Sequence, residues 1–399
     1  DNQTIEMSAL MGETMEEEQG DDFDFYFVCL LYRRRQLLNS FDRRFVHDLP
    51  YRRVLSGTIR RESLQAPSTS VFYHVYHSKQ KEALIQLCGL DCDAFDQLLV
   101  LFTPIYESYS SHNSDQIRLI HKNFGRPRLL TAMGCLGLVL TWLRSRGPNR
   151  LLCFLFGILP ASCSVWLRFG KRVLVKVLKG LPEARVTMPT AEQVKEFQEL
   201  IGAKYPACAV AYGAMDGLKA LLQSCGDVKK QGMYYNGWKC DHYISNLFLF
   251  SPIGRIHAAY FNAPGTVHDS AMAEMSGIYD KINTLYLQTG GKVVVDSAFG
   301  EKSRPSLIKS NQNNIDRHGD ARQNNQLNRE ATSIRQLSEW GMRGLQGAFP
   351  RLKERIIYEE RGERKLFMQL IVYLYNYRTE LVGFNQIKVV YKGPLSKTA

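Results

Sequence analysis

Cysteine is scarce in this sequence, with nine in 399 residues, which is too few for a small disulfide-stapled fold. Long apolar runs are missing too, because the longest, Leu129–Leu143, is shorter than the roughly 20 residues that cross a bilayer. The first 24 residues contain no lysine or arginine, unlike the basic start of a secretory signal. Glycine-rich phosphate loops and the serine nucleophile elbow are also absent. These absences predict a soluble intracellular protein without P-loop or serine-hydrolase chemistry.

Negative charge is scarce outside the N-terminus. Nine of the 39 acidic residues lie between Asp1 and Asp24, and the remaining chain carries 51 basic against 30 acidic residues. The formal net charge is +12, and so basic a body favours a polyanionic partner such as nucleic acid. The acidic tail either shields this surface in the absence of nucleic acid or is simply solvated and disordered.

An arginine-rich segment follows the acidic tail, with nine arginines between Arg33 and Arg61. These side chains would serve as phosphate-backbone contacts, as a nuclear import signal, or as the basic face of a solvated helix. Residues 1–80 are therefore predicted to be a partly disordered extension, and the nucleus is the expected location.

Residues 81–205 have the pattern of an all-helical region. Two apolar segments, Leu129–Leu143 and Leu151–Leu159, are separated by a Gly-Pro-Asn turn. Pro160–Ser162 offers an N-cap for a further predicted helix, Val165–Lys179, which carries basic side chains. Short helices, a tight turn and a basic helix fit a helix-turn-helix layout, although an ordinary helical bundle has much the same pattern.

Residues 206–384 change in character, because short apolar runs now alternate with turns. Four of these runs are predicted to be strands: Ala207–Met215, Tyr243–Phe250, Arg255–Phe261 and Lys292–Val295. The second and third of them form a hairpin, and the intervening helical segments predict an α/β domain. The Asn-, Gln- and Arg-rich stretch Glu301–Thr332 is predicted to be an irregular connection, and residues 385–399 a C-terminal tail.

Aspartates follow two of the predicted strands. Asp216 comes directly after Ala207–Met215, and Asp296 directly after Lys292–Val295. An acid at the end of a buried strand is costly unless it is paired, hydrogen-bonded or bound to a cation. A divalent metal between two such neighbours would remove their repulsion. Capping of the turns that follow would explain each aspartate separately.

Glu339 lies on a further predicted helix, Ser333–Leu352. Arg335, Glu339 and Arg343 are spaced four residues apart, so they share one helical face. That face either brings a carboxylate to a metal site, with arginines beside it for phosphate contact, or forms an exposed salt-bridge ladder. Asp269 starts another short predicted helix, where a lone aspartate is most simply an N-cap.

In chain order, several segments resemble motifs of the PIF/Harbinger transposases and the Harbinger transposase-derived nuclease, within the DDE superfamily of endonucleases. The similar segments are Gly213–Gly217, Tyr234–Lys239, Pro264–Ser270, Val294–Phe299, and Asn328–Arg329 followed by Arg335 and Glu339. Two positions depart from the family pattern. Gln346 stands where a lysine is common, and Leu218–Lys219 stands where a threonine is usual.

The resemblance implies an RNase H-like catalytic domain, which is a mixed five-stranded sheet flanked by helices. It places Asp216 on the first strand, Asp296 on the fourth and Glu339 on a helix beside them, with Asp269 as a further acidic position of the metal site. The implied cofactor is Mg²⁺ or Mn²⁺, with Asp216 bridging two ions, Asp296 holding one and Glu339 the other.

The implied activity is that of a DNA endonuclease or transposase that hydrolyses phosphodiester bonds at transposon ends and transfers the 3′-hydroxyl to target DNA. The alternatives are a catalytically silent DNA- or protein-binding factor that keeps the fold, and an RNA-cutting nuclease. Double-stranded DNA is the expected partner, with a Myb/SANT-like accessory protein and a homo-oligomer as further expectations. DNA contacts are predicted from Arg168, Lys171, Arg172, Arg335 and Arg343.

Overall fold

The computed structural model describes residues 59–110, 127–299, 304–309, 321–358, 361–383 and 385–392. The chain divides into two units, residues 1–59 and 60–399, and all elements named below belong to the second. The acidic tail lies outside the described residues, as do all of the clustered arginines except Arg60 and Arg61.

Helices make up the first part of this unit. They are α1 (Val71–His77), α2 (Lys81–Cys88), α3 (Cys92–Ser108), α4 (Ala132–Arg144), α5 (Arg150–Phe156), α6 (Pro160–Gly180) and α7 (Ala191–Gly202). The predicted turn separates α4 from α5. Helix α6 begins at Pro160, earlier than predicted, because proline in the first helical turn lacks only an N–H that the helix does not use.

A mixed sheet follows. Its strands are β1 (Ala211–Leu221), β2 (Tyr235–Asn236), β3 (Asp241–Phe250), β4 (Ile256–Pro264), β5 (Lys292–Val295) and β6 (Leu307–Lys309). The order is β2-β3-β1-β5-β6, and β4 also pairs with β3. Strand β3 is antiparallel to β1, β2 and β4, whereas β5 is parallel to both β1 and β6. The described residues thus hold six strands where five were predicted, because β2 adds a two-residue ladder beside the start of β3.

Six helices accompany the sheet within the described ranges. They are α8 (Val228–Tyr234), α9 (Asp269–Met275), α10 (Ile278–Thr289), α11 (Ala321–Ala348), α12 (Arg361–Leu381) and α13 (Gln386–Lys392). Helix α13 lies in the predicted C-terminal tail and packs against α7 and α11.

The prediction that Glu301–Thr332 is irregular was wrong for much of its described part. Leu307–Lys309 form β6, and α11 starts at Ala321, well before the predicted helix start at Ser333. The polar composition concealed this helix, although Gln and Arg are good helix formers. Ala331 is buried, so packing begins before the apolar stripe that the sequence analysis recognised.

The two faces of the sheet have separate apolar layers. On one face Phe197 of α7, Met272 of α9 and Ile282 of α10 pack with Met215 and Val293 in a single buried cluster. On the opposite face α11 packs against β1 and β3, and α12 packs against β4 and α6. Helix α12 therefore joins the helical part of the unit to the sheet.

No single helix in the described part of the chain is both long and apolar enough to cross a membrane. Only the pair Arg150–Phe156 and Pro160–Gly180, which is bent by 87°, reaches the required length and composition together.

Candidate active site

Asp216 and Asp296 lie side by side where β5 ends. Met215 and Val295, the residues just before them, are paired in the parallel ladder of β1 and β5, and neighbouring strands are about 4.8 Å apart. The N–H of Gly217 donates to Asp216 Oδ1 at 2.7 Å, and the N–H of Ser297 donates to Asp296 Oδ1 at 2.6 Å. The backbone that follows each aspartate therefore orients its carboxylate.

Strand alternation decides which face of the sheet these two acids use. Asp216 is paired across the ladder with Phe248 of β3, and residues that are directly opposite each other point to the same face. Phe248 contacts the ring of Phe250, which in turn packs on α11 at Gly341. Asp216 therefore faces α11.

Arg335 of α11 connects the strand acids to Glu339. Its Nη1 lies 3.0 Å from Asp296 Oδ1 and its Nη2 lies 3.6 Å from Glu339 Oε1. Arg335 and Glu339 thus form the ion pair along the helix that the salt-bridge interpretation predicted, and that pair reaches Asp296 on the sheet. Asp296 and Glu339 share one guanidinium, whose charge also acts on Asp216 on the same face.

The position of Glu339 depends on how closely α11 approaches the sheet. The predicted apolar stripe is buried, with Ile334, Leu337 and Leu345 all at 0% exposure. At Gly341 a methyl group would come within 2.5 Å of the Phe250 ring. A side chain at Gly341 is thus excluded, and this close contact sets the distance between the helix and the strand acids.

Asp269 lies on the other side of β1. It is the first residue of α9, and the N-cap position belongs to His268, so the prediction that Asp269 is the N-cap was wrong. Its carboxylate covers Gly217, where an added methyl would come within 2.4 Å of Oδ2. Gly217 is paired with Leu247, whose side chain belongs to the apolar layer under α9 and α10.

Burial, more than repulsion among the acids, raises the pKa values of Asp216 and Asp269. The pKa of Asp216 is raised to about 6, first by burial and then by the charges of Asp269 and Asp296, while the Gly217 N–H and Arg335 oppose the shift. Burial also raises the pKa of Asp269, against the positive charge of Lys219. In the folded chain the ionised carboxylates are therefore under strain that a nearby cation relieves.

The donor chemistry of the α11 face fits a hard divalent cation, because adjacent carboxylates are the ligands that Mg²⁺ and Mn²⁺ prefer. Over the ranges that the structure describes, no three carboxylate, imidazole or thiolate groups are already gathered as a ligand set. The reason is visible in the ion pairs, since Arg335 lies between Asp296 and Glu339. Its guanidinium supplies positive charge between those two carboxylates.

Residues 215–376 match the family model of the DDE superfamily endonucleases. This DDE-like region holds Asp216, Asp269, Asp296 and Glu339, and the match supports the superfamily part of the resemblance drawn from the motifs. It indicates a transposase-like nuclease. A search of the curated proteins and a search of the solved structures each gave no match.

Lys219 is a site residue that the sequence analysis treated only as a departure from the family pattern. Its Nζ donates to the carbonyl of Gly265 at 3.2 Å, and its charge acts on Asp269. Strand alternation could have indicated this role, because Gly217 and Lys219 are two residues apart and therefore point to the same face of the sheet. A lysine that faces the Asp269 segment could have been inferred once β1 was assigned.

The basic residues predicted to contact DNA differ in their surroundings. Arg168 and Arg343 are exposed. Lys171 Nζ lies 3.0 Å from Glu363 Oε2, and Arg172 Nη2 lies 2.6 Å from Glu363 Oε1. These two ion pairs join α6 to α12, so Lys171 and Arg172 already stabilise the fold.

We expect Glu363→Gln to lower the free energy of unfolding by about 1–3 kcal/mol, because it leaves two half-buried cations without their carboxylate. Burial raises the pKa of Glu363, but Lys171 and Arg172 outweigh it and the net shift is downward. This contribution is therefore present at neutral pH and is lost as the pH falls below the ordinary glutamate range. Urea titrations at neutral and acidic pH measure it. Glu380→Gln, at a half-exposed residue 3.9 Å from Arg255, is the control and should change stability by less than about 0.5 kcal/mol.

Proposed function

We propose that this chain is a metal-dependent DNA endonuclease of the transposase type, and of the PIF/Harbinger kind within that class. The observation that carries the proposal is that Asp216 and Asp296 stand on neighbouring strands facing α11, where Arg335 pairs with Asp296 and Glu339, inside the DDE-like region. The Harbinger subtype is supported by the five motif segments in their family order.

Each acid has a role in this proposal. Asp216, Asp296 and Glu339 would hold the divalent ions, and Asp269 behind Gly217 would add negative charge as the further acidic position that the resemblance assigns to the site. Bound Mg²⁺ or Mn²⁺ would stabilise the attacking and departing oxygens of the phosphodiester. Arg335, which pairs with Asp296 and Glu339, would also donate to a DNA phosphate.

DNA recognition is proposed to involve the helical part of the unit. Helices α5 and α6 are bent by 87° relative to each other and are joined by residues 157–159, which is close to the roughly 90–120° of a helix-turn-helix. Arg168 lies on the exposed side of α6 and would contact the phosphate backbone with Arg343. We further propose that the chain cleaves DNA at transposon ends and transfers the resulting strand. It would act in the nucleus, as a homo-oligomer, together with a Myb/SANT-like protein.

The test is cleavage of supercoiled plasmid by the full chain in Mg²⁺, in Mn²⁺ and in EDTA. We expect nicking with either metal and none in EDTA. Asp296→Asn should cut at least about 100-fold more slowly, because it removes a carboxylate from the shared cation site. Asp280→Asn, at an exposed residue of α10, is the matched control and should keep the wild-type rate.

Two results would contradict the proposal. If the wild type binds DNA but cuts it with neither metal, the chain is a silent binding factor. A strict requirement for a 2′-hydroxyl in the substrate would make it an RNA nuclease instead.

A further inference from the structure

Trp238 is the tryptophan that this fold leaves in solvent. Its side chain is 100% exposed, whereas Trp166 is 6% exposed and Trp142 and Trp340 are partly buried. A buried tryptophan removes about 150–250 Å² from water, and at position 238 none of that area is used for folding. An aromatic face of this size is therefore available to a ligand.

The backbone beneath Trp238 is firmly held. Gly237–Lys239 form a 3₁₀ turn between β2 and β3. The side chain of Asn236, itself only 9% exposed, accepts from the N–H of Lys239 at 3.1 Å and donates through Nδ2 to the carbonyl of Gly265 at 3.1 Å. The indole thus projects from an anchored turn, so little conformational entropy would be lost when it binds.

The hydrogen bonds to the Gly265 carbonyl also link this turn to the segment that precedes Asp269. The carbonyl of Gly265 accepts from both Asn236 and Lys219. From Gly265 the chain runs directly into α9, whose first residue is Asp269. An added methyl at Gly265 would lie 2.5 Å from the carbonyl oxygen of Tyr243, so the loop is pressed against the start of β3. The turn that carries Trp238 therefore cannot move independently of the loop that positions Asp269.

A positively charged residue, Lys239, directly follows Trp238 in the chain. Its side chain is exposed, and its Nζ lies 5.8 Å from the centroid of the Tyr243 ring. The charge of Lys239 opposes the burial that raises the pKa of Asp269. An aromatic face beside cations is the combination that binds single-stranded nucleic acid, where the ring stacks on a base and the cations contact the adjacent phosphates. The turn lies within electrostatic reach of Asp269, the further acidic position of the proposed site.

We infer that Trp238 stacks on an unpaired base of the DNA substrate next to the cleavage site, while Lys239 contacts the neighbouring phosphate. An unpaired base is the occupant that fits, because within a duplex both faces of each base are already stacked, so a projecting ring finds no free face. The inference rests on the proposed function and extends it, since it gives the site a preference for DNA that is frayed, flipped or single-stranded at the cut.

The test measures DNA binding by the full chain in EDTA, so that cleavage plays no part. Fluorescence anisotropy gives Kd for a single strand and for a duplex of the same sequence. A 2-aminopurine in the single strand reports stacking through quenching of its emission. We expect Trp238→Ala to weaken single-strand binding by about 5- to 100-fold and to abolish the quenching, with duplex affinity within about twofold of wild type. Trp238→Phe should restore most of the affinity.

Two variants separate stacking from other effects. Leu287→Ala removes another exposed apolar side chain, which is 76% exposed on α10, and should change neither affinity. Lys239→Ala should weaken single-strand and duplex binding alike and lower the salt dependence of each by about one phosphate contact.

The outcomes separate this inference from the proposed function. Wild-type binding to both DNAs with no effect of Trp238→Ala overturns the inference alone. Absence of any DNA binding by the wild type overturns both. Single-strand binding that depends on Trp238, in a protein that does not cleave with Mg²⁺ or Mn²⁺, supports the base-stacking site and overturns the nuclease.

Discussion

Asp216→Asn is expected to abolish metal-dependent cleavage and, at the same time, to stabilise the metal-free protein. The loss of activity should reach about 10³-fold, since a proposed ligand of the divalent ions is removed and several kcal/mol of transition-state stabilisation go with it. The gain in stability has a separate origin. Burial and the charges of Asp269 and Asp296 raise the pKa of Asp216 to about 6, so the ionised side chain opposes folding at neutral pH.

The sign of this effect gives a characteristic pH dependence. A carboxyl group whose pKa is higher in the folded state than in the unfolded state favours folding while it is protonated. The contribution of Asp216 to wild-type stability should therefore fall by about 1–3 kcal/mol as the pH rises from about 4 to about 6. Asparagine cannot ionise, so the variant should lack this fall.

Thermal unfolding across this pH range, with and without Mn²⁺, is the measurement. Mn²⁺ should raise the Tm of the wild type, because a cation relieves the repulsion among the acids, and should leave Asp216→Asn almost unchanged. Asp280→Asn should behave as the wild type in every arm. Equal stability of Asp216→Asn and wild type at pH 7 would contradict the electrostatic account of the site, whatever the cleavage assay gives.

Gly341→Ala is expected to lower both stability and activity. Its methyl would lie 2.5 Å from a Phe250 ring carbon, and that ring is held edge-on against Tyr375 at a centroid distance of 6.3 Å. Helix α11 must then move away from the sheet, at a cost of ~1–3 kcal/mol. Glu339, two residues earlier, moves with the helix away from Asp216 and Asp296. We expect cleavage to slow by at least about tenfold, since a small misplacement of a catalytic group is costly.

Gly347→Ala on the same helix is a matched control. An added methyl there meets nothing within 4 Å, so the intrinsic advantage of alanine in a helix should appear alone and stabilise the protein by ~0.5–1 kcal/mol. In a denaturant titration we expect Gly341→Ala to lower the free energy of unfolding and Gly347→Ala to raise it. A stabilising Gly341→Ala with full cleavage activity would show that close packing of α11 does not position Glu339.

Local sequence patterns were sufficient for the parts of the fold that depend on neighbouring residues. The β3–β4 hairpin, the strand Lys292–Val295 before Asp296, and the apolar stripe of α11 were predicted correctly. The strand predicted to end before Asp216 instead begins at Ala211 and continues through Asp216 to Leu221, because its ladder with β3 extends beyond the apolar run. The start of α11 at Ala321 was missed, because its first turns are polar on every face and carry no periodicity to read. Strand β6, with three residues, is too short to have a pattern of its own.

The partners of the basic side chains could not be predicted from the sequence. Arg335 was predicted to contact DNA, and Lys171 and Arg172 likewise, because a sequence records charge but not the partner that tertiary packing brings near. Arg335 lies beside Asp296, and Glu363 of α12 lies between Lys171 and Arg172. Their contacts with DNA stay predictions, but their first partners are carboxylates of the same chain.

The sequence by itself determined that Asp296 follows an apolar strand and that Glu339 lies on an amphipathic helix, since those patterns are local and periodic. Only the tertiary structure decided that Asp216, Asp296 and Glu339 share the α11 face while Asp269 lies behind Gly217. The physical reason is that a side chain's face is set by ladder register and by how closely a helix approaches the sheet. The ladder register and the distance between helix and sheet arise from contacts between segments far apart in the chain, such as Gly341 packing on Phe250. No local sequence pattern records such contacts.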